Sequence, residues 1–189
     1  MNDNIMKTKT MKEQAIKVIF ITTTVLLGAL ISQSLNAQIG TTNKEKMESL
    51  QSWAGKWKGE GWSIDESRQR NSFTVEEHIQ SKLGGRVIQA EGIGTGTDGK
   101  VGFRSYGVFY YSNENKRYEV KSFTEDGNMS LSTAEINEEG QFIWGFEVPA
   151  GSVRYTITLT GDTWKEKGEF VMGSGQTFPI MEMSLTRVK

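Results

Sequence analysis

From Gly55 to the C-terminus, apolar and polar residues alternate with a period of two, and the alternation is interrupted only at short polar or glycine-containing turns. Phe73, Val75, Glu77 and Ile79 share one face, as do Val101, Phe103, Ser105, Gly107 and Phe109. The same spacing recurs in Phe142, Trp144, Phe146 and Val148, in Val153, Tyr155, Ile157 and Leu159, and in Met181, Met183 and Leu185. A period of two places successive side chains on opposite faces of a strand, so such a chain folds as β-strands with one face on a core. Turn signals divide the strands: Gly84-Gly85, Asp98-Gly99, Asn113-Glu114-Asn115, Asp126-Gly127, Glu139-Gly140, Ala150-Gly151, Gly161-Asp162 and Gly173-Ser174-Gly175. Asp-Gly suits the positive φ of a tight hairpin, and glycine as a class is read here as turn residues. With the polar connector Ser63 to Asn71, nine short connections join ten strands in an antiparallel meander.

A ten-strand meander with one apolar face exposes two edges unless it closes, and closure removes both. The expected fold is all-β, a ten-stranded antiparallel up-and-down barrel. A β-sandwich of two five-stranded sheets is the alternative. A barrel of this size has room for a small ligand. One short helix precedes it, over residues 42–53: Thr42 or Asn43 caps it, and Met47, Leu50 and Trp53 fall at helical spacing.

Residues 1–37 read as a secretory signal peptide. Lys7, Lys9, Lys12 and Lys17 form a basic region, Val18 to Ile31 an apolar run, and Leu35-Asn36-Ala37 a cleavage box. The apolar run falls short of the roughly 20 residues a membrane span requires. No Cys follows it to carry a lipid anchor. The expected product is an exported protein, periplasmic or secreted, with one barrel domain over residues 38–189 and no membrane span after cleavage. Removing the signal's four Lys and two acidic residues moves the net charge from −1 to −3.

Composition then excludes whole classes of chemistry. A chain with no basic surplus is a poor nucleic-acid binder. No Cys and one His rule out zinc fingers, thiol nucleophiles, disulfide frameworks and two-His metal sites, so no metal and no cofactor are expected. Alternation turns His78 away from Val75, Glu77 and Ile79, toward solvent. Gly94 to Lys100 matches two phosphate-loop patterns, but both require a following helix, and Val101 to Tyr111 reads as a strand.

Polar residues on otherwise apolar faces are more informative. Glu77, Gln89, Ser122 and Glu166 sit in such positions, with Glu91 on the face of Gln89. Burying a carboxylate costs several kcal/mol unless it is paired or hydrogen-bonded. Their placement points to a hydrated interior or to a polar group on a ligand; a strand phase shifted by a bulge, or a wet barrel mouth, is the structural alternative. The aromatic residues Trp53, Trp57, Trp62, Trp144, Trp164, Tyr118 and Tyr155 supply either core or pocket wall. Glu77, Gln89, Tyr118, Trp144, Tyr155 and Glu166 are therefore the candidate lining of a site for a small hydrophobic or amphipathic molecule. Two other classes stay open: a hydrolase- or isomerase-type enzyme using the inward carboxylates, and a cell-envelope interaction module without a ligand.

Gly55-Lys56-Trp57 on the first strand resembles the G-x-W signature of the calycins, the superfamily of lipocalins and fatty-acid-binding proteins. The resemblance implies that Trp57 plugs one end of the barrel and that a basic residue of the last strand, Arg187 before Lys189, packs over it. A closer resemblance is to the DUF1579 family of bacterial calycin-like proteins. It is carried by Trp53 to Gly61, Leu83-Gly84-Gly85-Arg86, Gly107 to Tyr111, Lys116-Arg117-Tyr118 and Asp126-Gly127, within residues 53–127. Two features depart from familiar relatives. Ser63 to Asn71 is too short for the helical lid of fatty-acid-binding proteins, and no His after His78 matches the haem ligand of nitrobindin-like barrels.

Overall fold

The computed structural model describes residues 42–65 and 67–189; the expected signal peptide, residues 1–37, lies outside the described residues. Ten strands follow a short helical lead-in: β1 (Gly55–Ile64), β2 (Arg70–Lys82), β3 (Val87–Gly96), β4 (Val101–Ser112), β5 (Arg117–Thr124), β6 (Met129–Ile136), β7 (Phe142–Val148), β8 (Gly151–Thr160), β9 (Thr163–Met172) and β10 (Thr177–Val188). Each pairs antiparallel with the next in sequence, and β10 returns to pair with β1 over Lys56↔Val188 to Ser63↔Met181. The result is a closed up-and-down barrel, not a sandwich, and each of the nine expected connections is a real one. No helix among the described residues is long and apolar enough to cross a membrane.

The lead-in differs from the expected 42–53 helix. Helix α1 covers 42–48 and gives way to a 3-10 turn, Gln51–Trp53. The backbone tightens to three-residue hydrogen bonds, from the Leu50 amide to Met47 O (3.1 Å) and from the Trp53 amide to Leu50 O (3.0 Å). Tightening brings Met47, Leu50 and Trp53 all into the core. The Gln51 side chain also satisfies the end of the helix, donating to Met47 O and to Gly85 O, both at 3.0 Å. Ser81 Oγ donates back to Gln51 Oε1 at 2.6 Å, so one amide ties the helix end to the β2–β3 hairpin.

This cap closes one end of the barrel. Trp53 packs edge-on against Phe109 (5.5 Å), Phe142 (5.1 Å) and Trp164 (4.8 Å), a geometry that aromatic quadrupoles favour. Trp57, only 1 % exposed, donates its indole N–H to Trp53 O at 2.9 Å. The Arg187 guanidinium stands 4.1 Å above the Trp57 ring, opposite it in register. Its nitrogens donate to Ala54 O and Ser52 O, each at 2.7 Å, and its Nε meets Asp162 at 2.9 Å. Arg187 therefore combines a cation–π contact with a fork that satisfies two carbonyls of the cap. Gly55 has a physical reason to be glycine. Its φ is +150°, and a Cβ there would lie 2.5 Å from Arg187 Nη1.

Glycine has a second use inside the strands, beyond the turns. Gly94 lies opposite Phe103, Gly61 opposite Phe73, Gly168 opposite Tyr155 and Gly92 opposite Glu77, each as a cross-strand pair. At each, a Cβ would run into the partner's side chain. Large inward side chains are thus accommodated by the bare glycine positions beside them, whose space they occupy.

Candidate functional site

Beyond the capped end the barrel holds a cavity of about 600 Å³. Its walls include Phe103, Phe109, Phe146, Trp144, Tyr155 and Ile157, and its polar groups include Ser105, Ser122, Ser130, Glu77 and Glu166. Other hollows, about 500 Å³ beside Trp62 and Arg70 and about 1030 Å³ across β5 to β8, draw much of their lining from outward-facing residues. The interior cavity is the one that gathers the inward polar residues.

Its mouth follows from strand pairing. The β6–β7 ladder runs only from Thr133↔Gly145 to Ile136↔Phe142. Met129–Ser132 of β6 and Phe146–Val148 of β7 are consequently unpaired with one another. Met129, Ser130 and Phe146 line the cavity beside this gap, and the β5–β6 turn contributes Asp126 and Asn128. Met129 and Leu131 are exposed there.

Trp144 and Tyr155 form a cross-strand pair whose rings stack at 4.4 Å with a 19° tilt, making one flat aromatic wall. Glu77 stands above Gly92 near Ser105, in space that a Cβ on Gly92 would occupy. Burial, and secondarily the neighbouring Glu166, raises its pKa to about 8. Burial likewise raises Glu166 to about 7. The indole N–H groups of Trp164 and Trp144 pull that value partly back, without closing on any acceptor at full hydrogen-bond geometry. The Tyr155 phenol is pushed up to about 12 by burial and by Glu166. Two carboxyls in a low-dielectric space keep protons that water would remove, because ionising either is penalised by desolvation and by the other.

Glu119 provides a contrast. Like Glu166 it exposes little surface, but it lies on the outer face, where Tyr110 OH (2.8 Å), Asn115 (2.7 Å) and Arg117 (3.1 Å) satisfy it. These donors outweigh burial and hold its pKa below the usual glutamate value. Glu119 is a structural carboxylate. Glu77 and Glu166 lack such a shell.

Of the six candidate lining residues, the structure brings four together: Glu77, Trp144, Tyr155 and Glu166. Tyr118 points inward but sits at the capped end, its ring 5.8 Å from Phe142 and its hydroxyl donating to Lys46 O at 2.7 Å. Gln89 lies on the outer face, where its amide meets Glu91 at 3.3 Å. The inward row of β3 is Ile88, Ala90, Gly92 and Gly94. Two of these have no side chain, so the apolar face is faint and the sequence phase slips by one residue. Ser122 is inward as expected, its hydroxyl 2.6 Å from that of Ser130. His78 faces outward against the Gln80 amide. Phe103, Phe109, Ser105 and Phe146 were not singled out as lining from sequence, although the alternation that marks Glu77 also marks them. Among the described residues no group of three or more His, Cys, Asp or Glu is arranged to hold a metal.

No known protein-family model matches the chain, and no curated protein does. Solved structures do. Rv2717c from M. tuberculosis aligns over 75 % of this chain and 98 % of its own, with a TM-score of 0.57 at 12 % identity. The S-type phycobiliprotein lyase CPES from Guillardia theta aligns over 77 % and 92 %, with a TM-score of 0.54 at 13 % identity. At such identities the likeness is one of fold, and with the closed ten-strand meander it fits a calycin-like barrel fold.

Proposed function

We propose that this protein is an exported calycin-like barrel of the DUF1579 type that binds a small, largely apolar molecule in its interior. The cavity of about 600 Å³ carries the reading: an aromatic-walled space with a few convergent polar groups is the usual form of a small-molecule site. The Trp144–Tyr155 wall offers area to a flat or apolar body, and Ser105, Glu77 and Glu166 offer orientation. That one structural neighbour is a phycobiliprotein lyase is in keeping with a barrel that handles a small molecule. Export rests on the basic, apolar and cleavage segments of residues 1–37.

A second reading, an acid–base enzyme of hydrolase or isomerase type, has one observation in its favour. Glu77 and Glu166 titrate near neutrality in a cavity with a mouth, as general acids and bases do. One experiment addresses both. Native mass spectrometry of protein purified from its own host under mild conditions is expected to show the polypeptide plus a discrete small-molecule mass, released on denaturation. Returned to fresh protein, the released compound is recovered unchanged if the barrel is a binder and converted if it is an enzyme. A barrel that emerges only as the bare polypeptide mass contradicts both and favours an interaction module.

A further inference from the structure

The cavity has an unusual balance of charge. The charged residues among its described lining are Glu77, Glu166 and Asp126, and no Lys, Arg or His lines it. Asp126 sits at the mouth, where Thr124 and Asn128 hydrogen-bond it and hold its pKa low. Several basic residues of the strands are paired elsewhere: Lys58 bonds Glu76, Arg104 Glu125, Arg117 Glu119, and Arg154 Glu169. Arg187 is committed to the cap.

That inventory discriminates among ligands. An anionic ligand brings charge into a desolvated space that holds no counter-charge, which is strongly unfavourable. A purely apolar ligand excludes water and leaves Glu77 buried with no donor to meet it. A protonated amine lets the two carboxyls release their protons and supplies both the donors and the charge that the resulting carboxylates need. The aromatic walls accept the rest of such a molecule, since a cation over a ring face is itself favoured.

We infer that the interior site is selective for organic cations, taking a small amine whose ammonium lies between Glu77 and Glu166 and whose apolar body lies against Phe103, Phe109, Trp144 and Tyr155. This rests on the reading that the cavity binds a small molecule. Gln in place of either Glu preserves shape and removes the charge, so selectivity rather than binding as such is the property at stake.

Three probes share one ring system and differ in charge: 2-(2-naphthyl)ethylamine, 2-ethylnaphthalene and 3-(2-naphthyl)propanoate. Their affinities are read by quenching of tryptophan fluorescence at pH 7, for the wild-type protein and for Glu77→Gln/Glu166→Gln. The expected order is amine, then hydrocarbon, then propanoate, with at least tenfold separating the amine from the hydrocarbon, and the double variant closes that gap. If the hydrocarbon or the propanoate binds as tightly as the amine, or if the double variant keeps the amine's advantage, cation selectivity is overturned while interior binding stands. If none of the three binds, the cavity reading fails and the selectivity fails with it. Hydrocarbon binding by the variant reports in the same titration that its barrel is folded.

Discussion

Glu77→Gln/Glu166→Gln is more stable than the wild-type protein at pH 9, and its stability no longer falls between pH 5 and pH 9. Both carboxyls have folded-state values above the ordinary glutamate value of 4.5, about 8 for Glu77 and about 7 for Glu166. The unfolded chain releases these protons near 4.5, so between that pH and about 8 the folded state binds more protons than the unfolded one. Stability must then decrease as pH rises through this window, and the full contribution is present only below it. Holding a carboxyl protonated one pH unit beyond its ordinary range costs the fold about 1.4 kcal/mol. For the facing pair the loss amounts to several kcal/mol, shared between two coupled titrations. The acids whose values are lowered, Asp65, Glu76, Glu119 and Asp126, change their contribution at lower pH and do not mask the effect. Urea denaturation at pH 5, 7 and 9 measures it: the wild-type midpoint falls and the variant's stays level. Parallel curves would show that neither carboxyl is buried as described.

Trp57→Ala destabilises the protein by about 3–5 kcal/mol, the range for deleting a large buried aromatic side chain. The substitution removes the contact with Trp164 at 5.9 Å, the hydrogen bond to Trp53 O and the surface on which Arg187 lies. Arg187→Lys separates the charge from the geometry. It keeps a cation near the ring but loses the planar fork to Ser52 O and Ala54 O, and is expected to cost about 1–3 kcal/mol. Urea denaturation at pH 6 ranks the two. A Trp57→Ala loss no larger than that of Arg187→Lys would mean that the cap does not depend on the indole.

Much of this architecture is legible in the chain because it is local. Asp98-Gly99, Asp126-Gly127 and the other turn signals lie where strands end, and period-two alternation survives in every strand with inward side chains to display it. Glu77 and Glu166 are legible for the same reason, as carboxylates on apolar faces. Where the inward residue is glycine the signal vanishes. Gly92 and Gly94 erase the apolar face of β3 and send Gln89 to the wrong side, and a glycine reads as a turn when its use is to make room for a neighbouring strand's side chain. The helix end is misread because Met47, Leu50 and Trp53 fit α-helical spacing, whereas the backbone buries them by tightening. The mouth is not legible at all. It depends on where the β6–β7 ladder stops, which is a property of two strands and not of either sequence alone.

The interior acid pair facing a stacked aromatic wall is the centre of this account, and a crystal structure of the protein with 2-(2-naphthyl)ethylamine tests it most directly. The expected result is the naphthalene ring against Trp144 and Tyr155, with its nitrogen within hydrogen-bonding distance of Glu77 and Glu166. A barrel whose interior is filled by its own side chains, with the amine bound only on the outer surface, would contradict it.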